Sequence, residues 1–204
     1  KLRKDVWDLI FANIRFDIVA EDMRAEIGAC VVGERRFLQL LEKYGVESFE
    51  SHKAALFDAT AKMMEAEIAE IPDGTFHGES TVYYDGKNRD KEYRIRVAIS
   101  VKENRIRFDY TGTDPQTNGF VNGTYTSSAS ATLLTFLQMV NPDIPHNEGM
   151  VRPIEIVIPE GTILNASYPA ATTYGNHLCP PNADAISRAF EKIIPDRVTA
   201  GWNH

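Results

Sequence analysis

Near residue 72 the apolar pattern of this chain changes period, from steps of three and four residues to steps of two, and that change bounds the folds open to it. Before it the chain reads as helix. Asp5 to Asn13 carries Val6, Leu9, Ile10 and then Ile14 at helical spacing. Ile18 to Tyr44 places Met23, Ile27, Cys30, Phe37, Leu41 and Tyr44 along one stripe, with Glu34 its one polar member. Gly45 suits a helix C-terminus. Ser48 opens a third helix that turns Phe49, Leu56, Ala59, Met63 and Ala66 inward and stops before Pro72. Two long helices with so short a joint predict an antiparallel pair.

Beyond the change, Ser80 to Tyr84, Tyr93 to Val101 and Arg105 to Tyr110 read as strands. Tyr93, Ile95, Val97, Ile99 and Val101 alternate with polar neighbours, the mark of a sheet with one buried and one wet face. Lys102 to Asn104 can close a hairpin. Thr111 to Asn122 is loop, rich in turn-forming Gly, Asn and Asp. A helix at Ser127 to Val140, a strand at Ile154 to Ile158, a turn at Pro159-Glu160-Gly161 and a helix at Asn182 to Ile194 opened by Pro180-Pro181 complete the pattern. The expected class is α+β: an N-terminal helical pair, then an antiparallel sheet with further helices. The expected division is a helical segment at 1–72 and an α+β segment at 73–204.

Composition narrows the function. The chain has 204 residues, 43% of them hydrophobic, enough for a sizeable core. Lys plus Arg number 22 against 29 Asp plus Glu, a net charge of -7, which argues against nucleic acid as a partner. No apolar run approaches a membrane span and no signal peptide opens the chain, so neither a membrane nor secretion is expected. Cys30 and Cys179 lie far apart, without metal spacing or a disulfide framework, and suit a cytoplasmic protein. The start without Met and the close at Gly201-Trp202-Asn203-His204 suggest a piece of a longer polypeptide.

General catalytic motifs are missing: there is no phosphate loop, dinucleotide fingerprint, paired-His zinc motif or nucleophile elbow. Three stretches stand out instead. Asp109 to Gly123 combines several glycines with Asp109, Asp114, Gln116 and Asn122, which suits a polar loop at a site or a turn bonded to its own backbone. Pro145 to Pro153 brings His146, Glu148 and Arg152 close in sequence, to gather around an anion or a metal or to fasten the loop, a His-x-Glu pair without a third ligand being a weak metal signal. His177 and Cys179 precede a helix N-terminus, which can lower a thiol's pKa, although a structural cysteine is the commoner case. Asn122-Gly-Thr124 and Asn165-Ala-Ser167 match the glycosylation pattern, which is short enough to arise by chance, and with no other sign of secretion both are discounted.

Taken in order, these stretches resemble the hydantoinase B/5-oxoprolinase family. The matching residues are Asp109-Tyr-Thr-Gly-Thr-x-x-Gln116-x-x-Gly119-x-x-Asn122, Asn147-x-Gly149-x-x-Arg152-Pro153, Pro159-x-Gly161-Thr-x-Leu-Asn165 and Pro169-Ala-Ala-Thr-x-x-Gly175-Asn176. Upstream, Asn13-Ile-Arg15 and Asp22-Met-Arg24-Ala25-Glu26-Ile-x-Ala29-Cys-x-x-Gly33-x-x-Arg36 are similar to the family's helical segment. Asp17, Glu21 and Glu26 stand where many members carry Gln. With His146 and the closing Thr199-Ala-Gly-Trp-Asn203 they look closest to the hydantoinase-B-like large subunit of the acetone carboxylase type.

The resemblance implies a middle portion of a large subunit in an ATP-dependent, multi-subunit enzyme. The favoured activity is carboxylation of acetone with bicarbonate to acetoacetate. The alternatives are ATP-dependent opening of a hydantoin or oxoproline ring, and a scaffold segment without chemistry. ATP and a divalent metal, manganese or zinc, are implied for the intact complex, and neither is expected on this segment, which alone should be inactive. The partners implied are a hydantoinase-A-like nucleotide-binding subunit, a small third subunit in some complexes, and a small-molecule substrate. The expected catalytic residues are His177 as a donor, Arg152 as an anion stabiliser and Asp109. Asp114, Asn122 and Asn176 are the expected substrate-binding residues, and no metal ligand is assigned.

Overall fold

A computed structural model describes residues 3–172 and 175–198. The chain divides into two compact units, Lys1–Ala55 and Leu56–His204. The division falls within a helix, while the junction at 72/73 marks where helix gives way to strand.

The first unit holds α1 (Lys4–Phe11), α2 (Ile18–Tyr44) and the start of α3 (Val46–Ala69). Gly45 ends α2 at φ 79°, and its N–H closes onto the Leu41 carbonyl at 2.8 Å. Phe37 meets Phe49 edge-on across this turn, with centroids 5.2 Å apart. The apolar stripe of α2 is not buried. No residue of α2 is buried, and Ile27, Phe37 and Tyr44 are exposed. Periodicity reports that a helix has an apolar face, not what covers it.

In the second unit α3 buries Thr60, Ala61, Met64 and Ile68, with Ile71 just beyond, while Leu56 and Met63 are exposed. The expected phase was one stripe over. Apolar residues stand on more than one face of this helix, so period alone cannot choose between the two stripes.

A four-stranded sheet follows in the order β1 (Gly74–Val82), β2 (Tyr93–Lys102), β3 (Arg105–Asp109), β4 (Ile154–Val157). The first three strands form the expected antiparallel meander, with Gly74 opposite Val101 and Val82 opposite Tyr93. The fourth corrects the expectation: β4 lies parallel to β3, Ile106 opposite Ile154. Parallel neighbours require a crossover, and here it contains α4 (Tyr125–Leu137) and the short α5 (Glu148–Val151). Strand β1 also starts earlier than expected. Gly78 occupies a core-facing position there and hides the alternation, because a Cβ at Gly78 would stand 1.8 Å from the Ala185 carbonyl oxygen.

Helix α6 (Cys179–Phe190) lies across β1 and β2, and α4 packs on α6. Pro180 and Pro181 sit inside its first turn, where their missing N–H groups have no intrahelical role. Between sheet and helices lie Ile95, Ile99, Ile106 and Phe108, all buried, with Phe108 edge-on to Phe136 at 5.6 Å and to Phe190 at 6.5 Å. Tyr110 is wholly buried, and its hydroxyl meets the Thr132 hydroxyl at 2.7 Å. Two 3-10 turns, Gly175–Leu178 and Pro195–Arg197, flank α6. Residues 199–203 of the sequence resemblance lie outside the described residues.

Candidate functional site

A cleft of about 760 Å³ opens where β1 ends against the start of α6. Its size falls in the range of small-molecule sites. One wall is Ser80 to Val82 at the end of β1, continued by Tyr83 and Tyr84. A second is Phe120 and Val121, carried by the long loop after β3. The third is His177 on the 3-10 turn with Pro181, Asp184 and Arg188 along one face of α6. Ser80 ties the first wall to the third, its buried hydroxyl donating to the Pro181 carbonyl at 2.5 Å. Tyr83 is 69% exposed and Tyr84 47%, so the rings offer a half-open aromatic surface beside an imidazole, a carboxylate and a guanidinium. Such a cleft can stack a flat or apolar group and hydrogen-bond a polar one.

The structure does not gather the six expected site residues here. His177 alone of them lines the cleft, and it is exposed. Asn176 shares its turn, but the Asn176 side chain lies outside the described residues. Asp109 ends β3, where it accepts the Thr111 N–H at 2.9 Å and Arg107 at 3.0 Å. The Thr111 side chain foremost, and then its N–H and Arg107, hold the Asp109 carboxyl below the usual range against the opposing effect of burial. Arg152 lines a separate hollow of about 420 Å³ with Lys102, Arg105 and Arg107, and donates to Asp58 at 2.5 Å. Asp114 fastens the loop to β2, accepting the Arg94 N–H at 2.8 Å and the Arg96 guanidinium at 3.1 Å. Asn122 is fully buried.

The polar residues of the recognised stretches share one occupation. The Asn122 amide bonds the main chain of Thr117 in both directions, at 2.8 and 2.9 Å. Gln116 does the same with Ser167, accepting its N–H at 2.7 Å and donating to its carbonyl at 3.3 Å. Asn147 caps α5 through the Gly149 N–H at 2.8 Å, and Asn165 donates to the Ile158 carbonyl at 2.9 Å. These side chains shape loops.

Sequence reading missed Asp85, the most heavily bonded carboxylate among the described residues. It accepts the N–H groups of Lys87 and Asn88 at 2.8 and 2.6 Å, the Asn88 amide and the Tyr93 hydroxyl each at 2.6 Å, and the Thr117 hydroxyl. Burial by itself raises its pKa, but these donors outweigh burial and hold it far below the usual carboxylate range. Asp85-Gly86 in the sequence reads as an ordinary turn, so no signal marked it. At Cys179 the helix start gives no activated thiol, since burial raises its pKa. Among the described residues no three His, Cys, Asp or Glu side chains gather to hold a metal ion, so the donor set does not fit the implied metal. No described helix is long and apolar enough to cross a membrane.

Comparison with known proteins covers the whole chain. Residues 1–204 match the family described as hydantoinase B/oxoprolinase. The B component of a D-/L-hydantoinase, so named in Pseudomonas sp. strain NS671, is 34% identical over 96% of this chain. The beta component of the caprolactamase of Pseudomonas jessenii is 31% identical over 99% of it. The chain spans 35% of the length of each. The crystal structure of the ATP-dependent caprolactamase from Pseudomonas jessenii superposes with a TM-score of 0.89 at 29% identity, over 99% of this chain and 35% of that one. Nucleotide-free acetone carboxylase superposes with a TM-score of 0.76 at 18% identity, over 88% of this chain and 26% of that one, a likeness of fold.

Proposed function

The chain belongs to the hydantoinase B/oxoprolinase family, and from that premise we propose that it forms part of a larger subunit of an ATP-dependent enzyme that opens a cyclic amide. The observation that carries this reading is the identity of 34% and 31% to proteins named as hydantoinase and caprolactamase subunits, across nearly the whole chain. Ketone carboxylation, the activity favoured by the sequence resemblance, ranks second, because the likeness to acetone carboxylase is one of fold at 18% identity. A nucleotide-binding partner subunit and cytoplasmic residence belong to the same proposal.

Within it, the cleft beside His177 forms part of the wall of the substrate site. His177 donates a hydrogen bond to the carbonyl or to the anion that develops there, and the aromatic wall offers a face for the apolar part of the substrate. Asp109, Arg152, Asp114 and Asn122 act through loop geometry, each being bonded to its own chain. No step is derived through a metal or nucleotide.

The test is ATP-dependent phosphate release by the full-length protein with its co-encoded subunits. Hydantoin, 5-oxoproline and caprolactam are compared with acetone plus bicarbonate. Stimulation by a cyclic amide alone supports the proposal, and stimulation requiring both ketone and bicarbonate overturns it. His177→Ala in the active complex is expected to lower kcat about tenfold, or about 1.4 kcal/mol of transition-state stabilisation. Unchanged kcat with intact assembly removes His177 from the chemistry.

A further inference from the structure

Asp85 follows Tyr84 directly in the chain and is fully buried. It holds the facing wall of the cleft in two ways. Its carbonyl accepts the Phe120 N–H at 2.9 Å, and its carboxylate accepts the Thr117 hydroxyl. The two segments lie against each other without slack. A Cβ on Gly86 would stand 2.0 Å from the Phe120 ring, and one on Gly119 would stand 2.1 Å from the Asp85 carbonyl oxygen.

The proton count explains why a carboxylate suits this position. The hydroxyls of Tyr93 and Thr117 both contact Oδ2 of Asp85, and their oxygens lie 2.8 Å from each other. With Asp85 ionised, two protons serve three edges, and both go to the charged acceptor. The Thr117 oxygen then keeps its lone pairs free to accept, and the Gly119 N–H donates to it at 3.1 Å. Thr117 passes the restraint on to Asn122, whose amide reaches the Ala171 carbonyl at 3.0 Å. A buried polar line, Asp85 to Thr117 to Asn122, thus fastens both ends of the segment that carries Phe120 and Val121.

We propose that Asp85 is a positioning residue for the reaction of the cleft, acting through Thr117 and the Phe120 main chain to set the distance between the Tyr83–Tyr84 wall and the Phe120–Val121 wall. This rests on the cleft being part of the substrate site. The residue touches no substrate. It fixes where the aromatic surfaces stand before anything binds.

Thr117→Val keeps the shape and removes the hydroxyl, and Thr117→Ser restores it. In the full-length protein with its partner subunits, the valine variant is expected to lower kcat/KM for the active cyclic amide by roughly ten- to a hundredfold, mainly through KM. The serine variant is expected to stay within about twofold of wild type. A crystal structure of the full-length valine variant is expected to show Phe120 drawn away from the Asp85 carbonyl. Wild-type kinetics, with Phe120 in place, overturn the proposal, as does an equal loss in the serine variant. Should the valine variant not fold, Asp85→Asn, which keeps the volume and removes the charge, is read by the same two measurements. If the wild-type complex releases phosphate with none of the substrates, the proposed function fails, while the crystal comparison still decides what holds Phe120.

Discussion

Asp85 couples fold stability to acidity. Its folded pKa lies below its unfolded value of about 3.9, so its contribution is complete above about pH 4 and is lost as pH falls towards the folded value. Urea unfolding at a series of pH values is expected to show wild type weakening below about pH 4. Asp85→Asn should start weaker at neutral pH and fall less steeply in acid, and parallel curves would mean that the carboxylate is not the group responsible. Tyr93 moves the opposite way, raised first by burial and then by its bond to Asp85, so it stays a neutral donor. Arg152 offers a contrast. Its pair with Asp58 is half in water, and Arg152→Ala is expected to change stability by less than about 1 kcal/mol, read as a thermal midpoint. The signature residues were legible in the sequence as a group, but their occupation was not. An Asn in a Gly-rich loop looks the same whether its amide meets a ligand or a carbonyl, and Asn122 meets three carbonyls.

At the scale of elements, the close packing of β1 on α6 gives the sharpest expectation. Gly78→Ala places a methyl where the Ala185 carbonyl already stands, and overpacking of that kind costs about 1–3 kcal/mol, measurable by denaturant midpoint. Wild-type stability would mean that the helix can shift outward freely. The same glycine marks the limit of sequence reading here. Strands β2 and β3 were legible because Ile95, Val97, Ile99 and Val101 in the one and Ile106 and Phe108 in the other alternate with polar neighbours. The first half of β1 was not, since Gly78 serves the core by lacking a side chain. Helix α2 was legible to its last residue, its period and Gly45 agreeing. The buried side of α3 was not, because two apolar stripes compete on one cylinder. The parallel placement of β4 has no local signal at all, since a four-residue strand reads alike in either direction.

At the scale of the molecule, burial is uneven. Helices α1 and α2 bury no residue, whereas β2 and β3 carry much of the core. Amide exchange on the 204-residue chain is therefore expected to be fastest in α1 and α2 and slowest in β2 and β3. Equal protection in α2 would indicate that another surface covers it in solution.

The position of α6 sets an order of events during synthesis. The meander closes through short connections, but the helix that covers it joins only much later: the bond from Ser80 to Pro181 spans 101 residues. Until Cys179–Phe190 has left the ribosome, β1 and β2 lack the helix that covers their apolar side, and β3 has an open edge until β4 arrives. Nascent chains halted before residue 179 has emerged should thus recruit holding chaperones and precipitate when released, and chains from which residue 198 has emerged should do so less.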